Sequence, residues 1–229
     1  MPVQMTAAMR REVLRQVPLF RTLTPGEVDA IAAHAATHSY PRGNTILRKG
    51  DPASAMLIVL QGRVRVGITA ADGREVSFRI MGPGEIIGEL SLLDGQERSA
   101  DVQALEASVL LAVEREHFLL LLRNSADLCL RLMSVLCDKL RRSTVSLEEA
   151  MLLNLSGRLW RHLQRMASEH GIVTPEGTRI NIRLSQSELA ALIGASREKV
   201  NRQLKSWESQ GVIRQDGGYI ILPDGLRPA

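Results

Sequence analysis

The amino-acid sequence predicts an α+β fold in three parts, and three patterns along the chain support this division. Short β-branched runs, separated by glycine turns, fill residues 37–113 and predict a barrel, a sandwich or a jelly-roll-like β-roll. Residues 126–154 contain no Gly or Pro and predict one long helix. From residue 155 onward, helical periodicity returns and then gives way to a strand pair. The predicted domains are therefore 1–125, 126–154 and 155–229.

The composition is that of a soluble globular chain whose C-terminal third is basic. Of the 229 residues, 45% are apolar and 24% are charged, which is ordinary for two small domains. The net charge of +4 lies wholly after residue 155, where there are eleven Lys and Arg and seven Asp and Glu. This asymmetry favours a polyanionic partner for that part of the chain, although a solvated basic surface is the alternative.

Cysteine usage and the lengths of the apolar runs predict a cytoplasmic protein that does not enter a membrane. Cys129 and Cys137 are too far apart along one helix to form a disulfide within the chain. The longest apolar runs, Ala55–Leu60 and Phe118–Leu122, are too short to span a bilayer. The N-terminus has no apolar core of signal-peptide length.

Short helices are predicted to precede the β-roll. One runs from Arg11 to Val17 and stops before a proline, and another begins at Thr24-Pro25-Gly26-Glu27, which is typical of a helix start. A turn is predicted at Asp72-Gly73. The main predicted strands are Met56–Leu60, Val64–Ile68, Glu75–Ile80, Val102–Leu105 and Val109–Val113.

The segment from Gly84 to Ala100 carries the residue types that a nucleotide requires. Gly88 lets the backbone pass close to a ligand, and Glu89 next to it can accept two ribose hydroxyls. Arg98 is a planar, permanently charged group suited to a phosphate, and Ser99 can bind a further phosphate oxygen. A structural ion pair between Glu89 and Arg98 is the alternative interpretation.

The long helix carries a heptad pattern that predicts pairing with a second copy of the chain. Ser143 is the polar position of this pattern, with Thr144 beside it, and both need hydrogen-bond partners. A helix packed in the core of a single domain is the alternative. The predicted seam residues are Cys129, Met133, Leu136, Leu140, Ser143, Leu147 and Ala150.

The C-terminal part predicts a winged helix-turn-helix. Ser185 and Glu188 form a capping box that opens a helix through about Ile193, a Gly-Ala turn follows, and Ser196 caps a second helix. On the second helix an apolar face lies opposite a charged one that includes Arg202 and Lys205. Residues 211–215 and 219–222 predict the two strands of the wing.

Two of these segments resemble the Crp/Fnr family of bacterial transcription factors, and specifically its cyclic-AMP receptor branch. The run Ile87–Leu90 with Gln96–Ala100 resembles the phosphate-binding cassette of that family, with a connecting loop one residue shorter. The resemblance implies that Gly88, Glu89, Leu90, Arg98 and Ser99 bind cyclic AMP or cyclic GMP. It further implies that the base is met by one hydroxyl from each subunit, here from Ser143 and Thr144, in an order that is swapped relative to the family.

The run Ser196–Arg202 resembles the recognition helix of the same family. The resemblance implies that Arg197 and Arg202 read guanines and that Glu198 accepts from cytosine, at half-sites of the TGTGA type in a palindrome. The remaining residues implied to bind DNA are Ser185, Gln186, Ser196 and Lys205. RNA polymerase is implied as a partner by family analogy, through the turn at Thr174–Gly177.

Together these patterns predict a homodimeric, cytoplasmic transcription regulator that is not an enzyme and that a cyclic nucleotide switches. No metal is expected. A ligand-independent regulator with a vestigial pocket is the first alternative. A cyclic-nucleotide-regulated enzyme is disfavoured because no nucleophile–base pair, metal cluster or phosphate loop is found. A haem-sensing relative is also considered, but His34, His38 and His117 are scattered along the sequence.

Overall fold

The computed structural model describes residues 5–70 and 75–224 and divides the chain into two compact units. The first unit comprises Met1–Thr69 and Phe78–Arg141, and the second comprises Ala70–Ser77 and Arg142–Ala229. The turn predicted at Asp72-Gly73 lies outside the described residues. One helix, α5 (Ala126–Leu152), contributes to both units, so the predicted domain boundary at residue 125 does not coincide with the division.

The first unit contains two antiparallel four-stranded sheets and helices at both ends of its sequence. The elements are α1 (Ala7–Gln16), a 3₁₀ turn (Pro18–Phe20), α2 (Pro25–His34), β1 (Ala36–Tyr40), β2 (Thr45–Leu47), β3 (Ala55–Gln61), β4 (Val64–Thr69), β5 (Glu75–Met81), β6 (Ile86–Ile87), α3 (Glu89–Asp94), β7 (Asp101–Ala104), β8 (Ser108–Glu114) and α4 (Arg115–Asn124). The sheet orders are β1-β8-β3-β6 and β2-β7-β4-β5. The predicted strands are confirmed with shifted ends, whereas β1, β2, β6, α3 and α4 were not predicted.

Strand β3 is apolar from Ala55 to Leu60 because both of its faces are buried there. Met56 and Ile58 belong to a core that also contains helix residues such as Phe118 and Leu128. Leu57 and Val59 belong to a second apolar cluster, together with residues from both sheets. Side chains alternate across a strand, so the run Ala55–Leu60 supplies two cores at once.

The second unit contains helices packed against a small antiparallel sheet, whose strand order is β11 (Arg214–Asp216), β12 (Tyr219–Leu222), β10 (Gly177–Ile180) and β9 (Gly171–Thr174). The capping box at Ser185 and the cap at Ser196 are confirmed, and Gly194 adopts the left-handed conformation that ends the first of the two capped helices. Trp160 and Trp207 meet edge to face with ring centroids 5.7 Å apart. The elements are α6 (Leu155–His170), β9 (Gly171–Thr174), β10 (Gly177–Ile180), α7 (Gln186–Ile193), α8 (Arg197–Ser209), β11 (Arg214–Asp216) and β12 (Tyr219–Leu222).

Helix α5 is confirmed as one long helix, but its exposed apolar stripe has a different register from the predicted seam. Leu136 is partly buried against the core of the first unit. Leu140 and Leu147, shared by the seam and the stripe, are 68% and 61% exposed. Heptad spacing through the exposed residues gives Leu130, Met133, Cys137, Leu140, Thr144, Leu147 and Met151.

Candidate functional site: a ligand pocket and a nucleic-acid interface

The first candidate site lies at the junction of β6 and α3, where Gly88 and Arg98 are in direct contact. Gly88 has φ +79°, and a Cβ at this position would collide with the Arg98 guanidinium. Arg98 Nη1 donates to the Gly88 carbonyl oxygen at 3.0 Å, and Nη2 donates to that of Ala55 at 2.5 Å. Glycine is therefore required here by its own chain, before any ligand is considered.

The Arg98 side chain is buried and keeps unused hydrogen-bonding capacity. The residue is 6% exposed, and its Nε is a buried atom without a hydrogen-bond partner. Burial lowers the pKa of the guanidinium, while the negative charges of Asp51 and Glu89 oppose that shift. The group remains a cation in a region of reduced solvent, where an anionic ligand would interact with it strongly.

Glu89 is a buried carboxylate whose ion-pair partner differs from the sequence-based alternative. The residue is 3% exposed, and its Oε1 lies 2.8 Å from the Nζ of Lys139 on α5. Lys139 Nζ also donates to the Ile86 carbonyl oxygen at 3.0 Å. Glu89 is therefore neutralised by Lys139, and the alternative of a structural ion pair between Glu89 and Arg98 does not explain the burial of these two side chains.

Sequence reasoning missed Lys139, although helical spacing contains the signal. Lys139 precedes Ser143 by one helical turn, so the two residues lie on the same side of α5. Thr144 is rotated about 140° from Lys139 and lies on the exposed apolar stripe instead.

The other predicted ligand residues are distributed between the two units. Leu90 is 47% exposed on α3, and Ser99 is exposed directly after Arg98. Ser143 and Thr144 are exposed on the part of α5 that belongs to the second unit. The structure therefore brings together Gly88, Glu89 and Arg98 within the first unit, and adds Lys139 to them.

The second candidate site is the outer face of α8. Val200, Leu204 and Trp207 are buried, as their spacing predicts. The predicted DNA-binding residues of this helix and its cap are all exposed: Glu198, Arg202 and Lys205 lie opposite the buried face, and Ser196 and Arg197 lie at the N-terminal end. The pKa of Glu198 is lowered by hydrogen bonds from its own backbone N–H and from the Ser196 hydroxyl, and then by the charge of Arg197. The carboxylate is thus held in the ionised, acceptor-only form.

Gln186, predicted to contact phosphate, also makes a contact within the protein. Its Nε2 donates to Oδ1 of Asn201 on α8 at 3.0 Å, whereas Ser185 is exposed at the α7 cap. Sequence reasoning did not single out Asn201. Arg197 and Asn201 are four residues apart on α8 and share one ridge of the helix, so Gln186 connects the start of α7 to the ridge that carries Arg197.

The histidines are less scattered in space than along the sequence. The rings of His34 and His117 stack with centroids 3.9 Å apart, and the charge partner of His117 is Glu114 at 3.6 Å. Among residues 5–70 and 75–224, three or more His, Cys, Asp or Glu side chains are nowhere grouped closely enough to hold a metal ion. Within the same ranges, no helix is long and apolar enough to cross a membrane.

Comparison with known proteins assigns both sites to described domain families. Residues 37–125 match the cyclic nucleotide-binding domain, and residues 157–227 match the Crp-like helix-turn-helix domain. The chain is 34% identical over 203 residues to the cyclic AMP receptor protein of Thermus thermophilus, covering 89% of this chain and 91% of that protein. It is 29% identical over 218 residues to the CRP-like cAMP-activated global transcriptional regulator of Mycobacterium tuberculosis, covering 95% and 97% of the two chains.

Solved structures give the same result. The c-di-GMP responsive global regulator CLP of Xanthomonas campestris superposes with a TM-score of 0.75 at 26% identity, covering 87% of this chain and 99% of that one. The family and the fold class predicted from the sequence are thereby confirmed. The chain belongs to the Crp/Fnr family and is a transcription regulator that joins a cyclic-nucleotide-binding domain to a Crp-like helix-turn-helix domain.

Proposed function

We propose that the protein is a cytoplasmic, homodimeric regulator that binds a TGTGA-type palindrome in response to cyclic AMP. The observation that carries this proposal is that a buried carboxylate, Glu89, and a buried guanidinium, Arg98, lie beside Gly88: Glu89 is its chain neighbour and Arg98 donates to its carbonyl oxygen. A carboxylate for sugar hydroxyls and a guanidinium for a phosphate match the two polar ends of a cyclic nucleotide. Relatives named for cyclic AMP support the choice of ligand.

In this proposal the cyclic phosphate binds Arg98 and Ser99, and the ribose binds Glu89. Arg98 retains an unpartnered buried Nε, so one of its donors is available without breaking any contact. The ribose hydroxyls must share Glu89 with Lys139 or displace it. Because Lys139 belongs to α5, ligand binding would act directly on the long helix.

The proposed dimer forms through the exposed stripe of α5. The stripe exposes Met133, Leu140, Leu147 and Met151 by 51–76%, an apolar surface that a second copy of the helix would bury. Ser143, on the Lys139 side of the helix, would then meet the base of its own chain's ligand. Thr144, on the stripe, would meet the base of the partner's ligand.

The proposed reader is α8, which carries Arg197 and Arg202 for guanine and Glu198 for cytosine. Two such helices related by a two-fold axis would bind half-sites about one helical turn apart. RNA polymerase is a further proposed partner by family analogy. The turn at Thr174–Gly177 is closed by a hydrogen bond from Thr174 Oγ1 to the Gly177 carbonyl oxygen at 2.7 Å, and Val173 beside it is 85% exposed.

Two other switching modes each have one observation in their favour. The similarity to a c-di-GMP responsive regulator favours that dinucleotide as the ligand. A ligand-independent regulator is favoured by the charges in the pocket, since Glu89 is already neutralised by Lys139 and Arg98 already donates to two carbonyl groups.

Calorimetric titration of the nucleotide-free protein with cyclic AMP, cyclic GMP and c-di-GMP tests the proposed ligand. We expect saturable binding of cyclic AMP and a loss of at least tenfold in affinity for Arg98→Gln, which removes a charge-assisted contact. Arg115→Gln is the matched control, because Arg115 also donates to a backbone carbonyl in the first unit, that of Leu92 at 2.8 Å. Equal affinities for the two variants would remove Arg98 from the site, and binding of c-di-GMP alone would replace the ligand.

A further inference from the structure

A cluster of three side chains on the small sheet of the second unit has no role in the sites described above. The guanidinium carbons of Arg179 and Arg183 lie 4.9 Å and 4.8 Å from the centroid of the Tyr219 ring. The two positive groups are therefore at most about 10 Å apart on one aromatic ring. We call these three residues the Arg–Tyr–Arg stack.

The strand register explains how the Arg–Tyr–Arg stack forms. Arg179 on β10 lies opposite Ile221 on β12, and this register, continued by two residues beyond the paired strands, would place Tyr219 opposite residue 181, midway between the two arginines. The alternate residues Ile180, Ile182 and Leu184 point the other way, toward the apolar side chains of α6 and α7. The stack thus occupies the face of the sheet that is turned away from these helices.

The two arginines of the Arg–Tyr–Arg stack carry positive charges that no carboxylate pairs with in the part of the chain that the structure describes. Among the same residues, Arg179 Nε is buried without a hydrogen-bond partner. Arg214 on the same sheet, by contrast, lies 3.9 Å from Glu176. Stacking on an aromatic ring offsets part of the mutual repulsion, at about 0.5–1 kcal/mol for each exposed cation. It also leaves the in-plane N–H donors of each guanidinium available to an anion.

The position of the stack in the chain identifies the anion. Arg183 precedes Ser185, the N-cap of α7, by two residues, and Tyr219 directly follows the glycine turn of the wing. The stack therefore lies between the two elements that flank the recognition helix in a winged helix-turn-helix. We infer that the Arg–Tyr–Arg stack binds the DNA sugar–phosphate backbone beside each half-site, an inference that rests on the proposed DNA-binding function.

Phosphates of one DNA strand recur every ~3.4 Å along the helix axis, so two guanidiniums within about 10 Å can contact one strand a few nucleotides apart. Such contacts add affinity without reading sequence. The two arginines would also supply positive charge near the start of α7. Gln186 at that position is uncharged and is hydrogen-bonded to Asn201.

The test is the salt dependence of DNA binding, measured by fluorescence anisotropy between about 50 and 200 mM salt. The full-length chain, saturated with whichever nucleotide supports binding, is titrated with a TGTGA-type palindrome and with a scrambled duplex of equal length. For Arg179→Gln/Arg183→Gln we expect the slope of log K against log salt to fall in magnitude by about two per subunit, equally on both duplexes. Tyr219→Phe keeps the aromatic ring and should behave as wild type.

Arg214→Gln is the matched control, because it removes a charge that is already paired on the same sheet. An unchanged slope in the double variant, with a normal thermal unfolding profile, would overturn the inference. A loss confined to transcription with intact DNA binding would also overturn it and would point to a protein partner. If the wild type does not distinguish the palindrome from the scrambled duplex, the proposed operator fails, whereas the slope on scrambled DNA still tests the stack.

Discussion

Two side-chain contacts connect separate helices at the candidate sites. Lys139 on α5 pairs with Glu89 at the start of α3. Gln186 at the start of α7 donates to Asn201 on α8. Each contact joins a predicted binding residue to a residue of another helix, so a change in the way the helices pack would be felt at the site.

Gln186 is expected to act on sequence discrimination and not on overall DNA affinity. If it positions Asn201 and the ridge that carries Arg197, Gln186→Ala should weaken palindrome binding by about 1 kcal/mol, or roughly fivefold, and leave scrambled DNA unaffected. Asn201→Ala should have the same effect, and the double variant should be no weaker than either single one. Competition titrations measure this. An equal loss on both duplexes would contradict this expectation and indicate that Gln186 contacts phosphate.

The residue types of the ligand site could be predicted from the sequence, whereas their partners could not. Few residues can bind a sugar diol or a phosphate, so Glu89 and Arg98 could be assigned from chemistry. The Lys139–Glu89 pair joins residues fifty positions apart and depends on how α5 packs. The bond from Gln186 to Asn201 likewise follows from the angle between α7 and α8.

His162 on α6 makes the stability of the second unit depend on pH. Burial, reinforced by the charge of Arg165, lowers the pKa of this imidazole to about 4, and its Nε2 has no hydrogen-bond partner. Between about pH 6.5 and pH 4 the unfolded chain binds a proton at this residue that the folded chain does not. The free energy of unfolding therefore contains the full contribution of the neutral imidazole above about pH 6.5. It falls as the pH decreases, by an amount on the order of 3 kcal/mol at pH 4.

We expect His162→Leu to flatten this pH dependence. Leucine has no proton to gain and leaves no buried nitrogen unpaired. Urea unfolding followed by tryptophan fluorescence reports on this unit alone, because both tryptophans of the chain, Trp160 and Trp207, belong to it. Parallel losses of stability between pH 6.5 and 4.5 in the wild type and the variant would contradict the assignment.

At the scale of elements, the sequence predicts type and extent better than register. The long helix, the capping box at Ser185 and most of the strands follow from hydrophobic periodicity and from cap and turn residues, which are local signals. The seam register on α5 does not, because Met133, Leu140 and Leu147 fit two heptad patterns equally well. Only the packing of Leu136 into the first unit's core decides between them. Helix α3 is missed for a related reason, since six residues are too few to show a helical period.

The native cysteines can distinguish the two registers of the proposed dimer. In the exposed register Cys137 faces its own counterpart across a two-fold axis, whereas in the originally predicted register Cys129 would do so. Cys137 is exposed, while Cys129 Sγ donates to the Leu122 carbonyl oxygen at 3.2 Å. We expect mild oxidation to give a covalent dimer, seen on a non-reducing gel, that persists in Cys129→Ser and is absent in Cys137→Ser. Cross-linking that requires Cys129 would contradict the exposed register.

At the scale of the molecule, one helix belongs to both units, and this arrangement couples ligand to reader in the proposed mechanism. Helix α5 contributes Lys139 to the ligand pocket in the first unit. In the second unit its Glu149 forms an ion pair with Arg165 of α6 at 2.5 Å. A ligand that competes for Glu89 would therefore act on a helix that is also held near its C-terminal end, at Glu149.

The most direct measurement of this coupling is the binding of nucleotide-free protein to a TGTGA-type palindrome, with and without cyclic AMP, cyclic GMP or c-di-GMP. We predict tight, sequence-specific binding only with cyclic AMP, and binding no stronger than to scrambled DNA without it. Equally tight palindrome binding under all four conditions would contradict a ligand switch and would show that the pocket no longer controls the recognition helices.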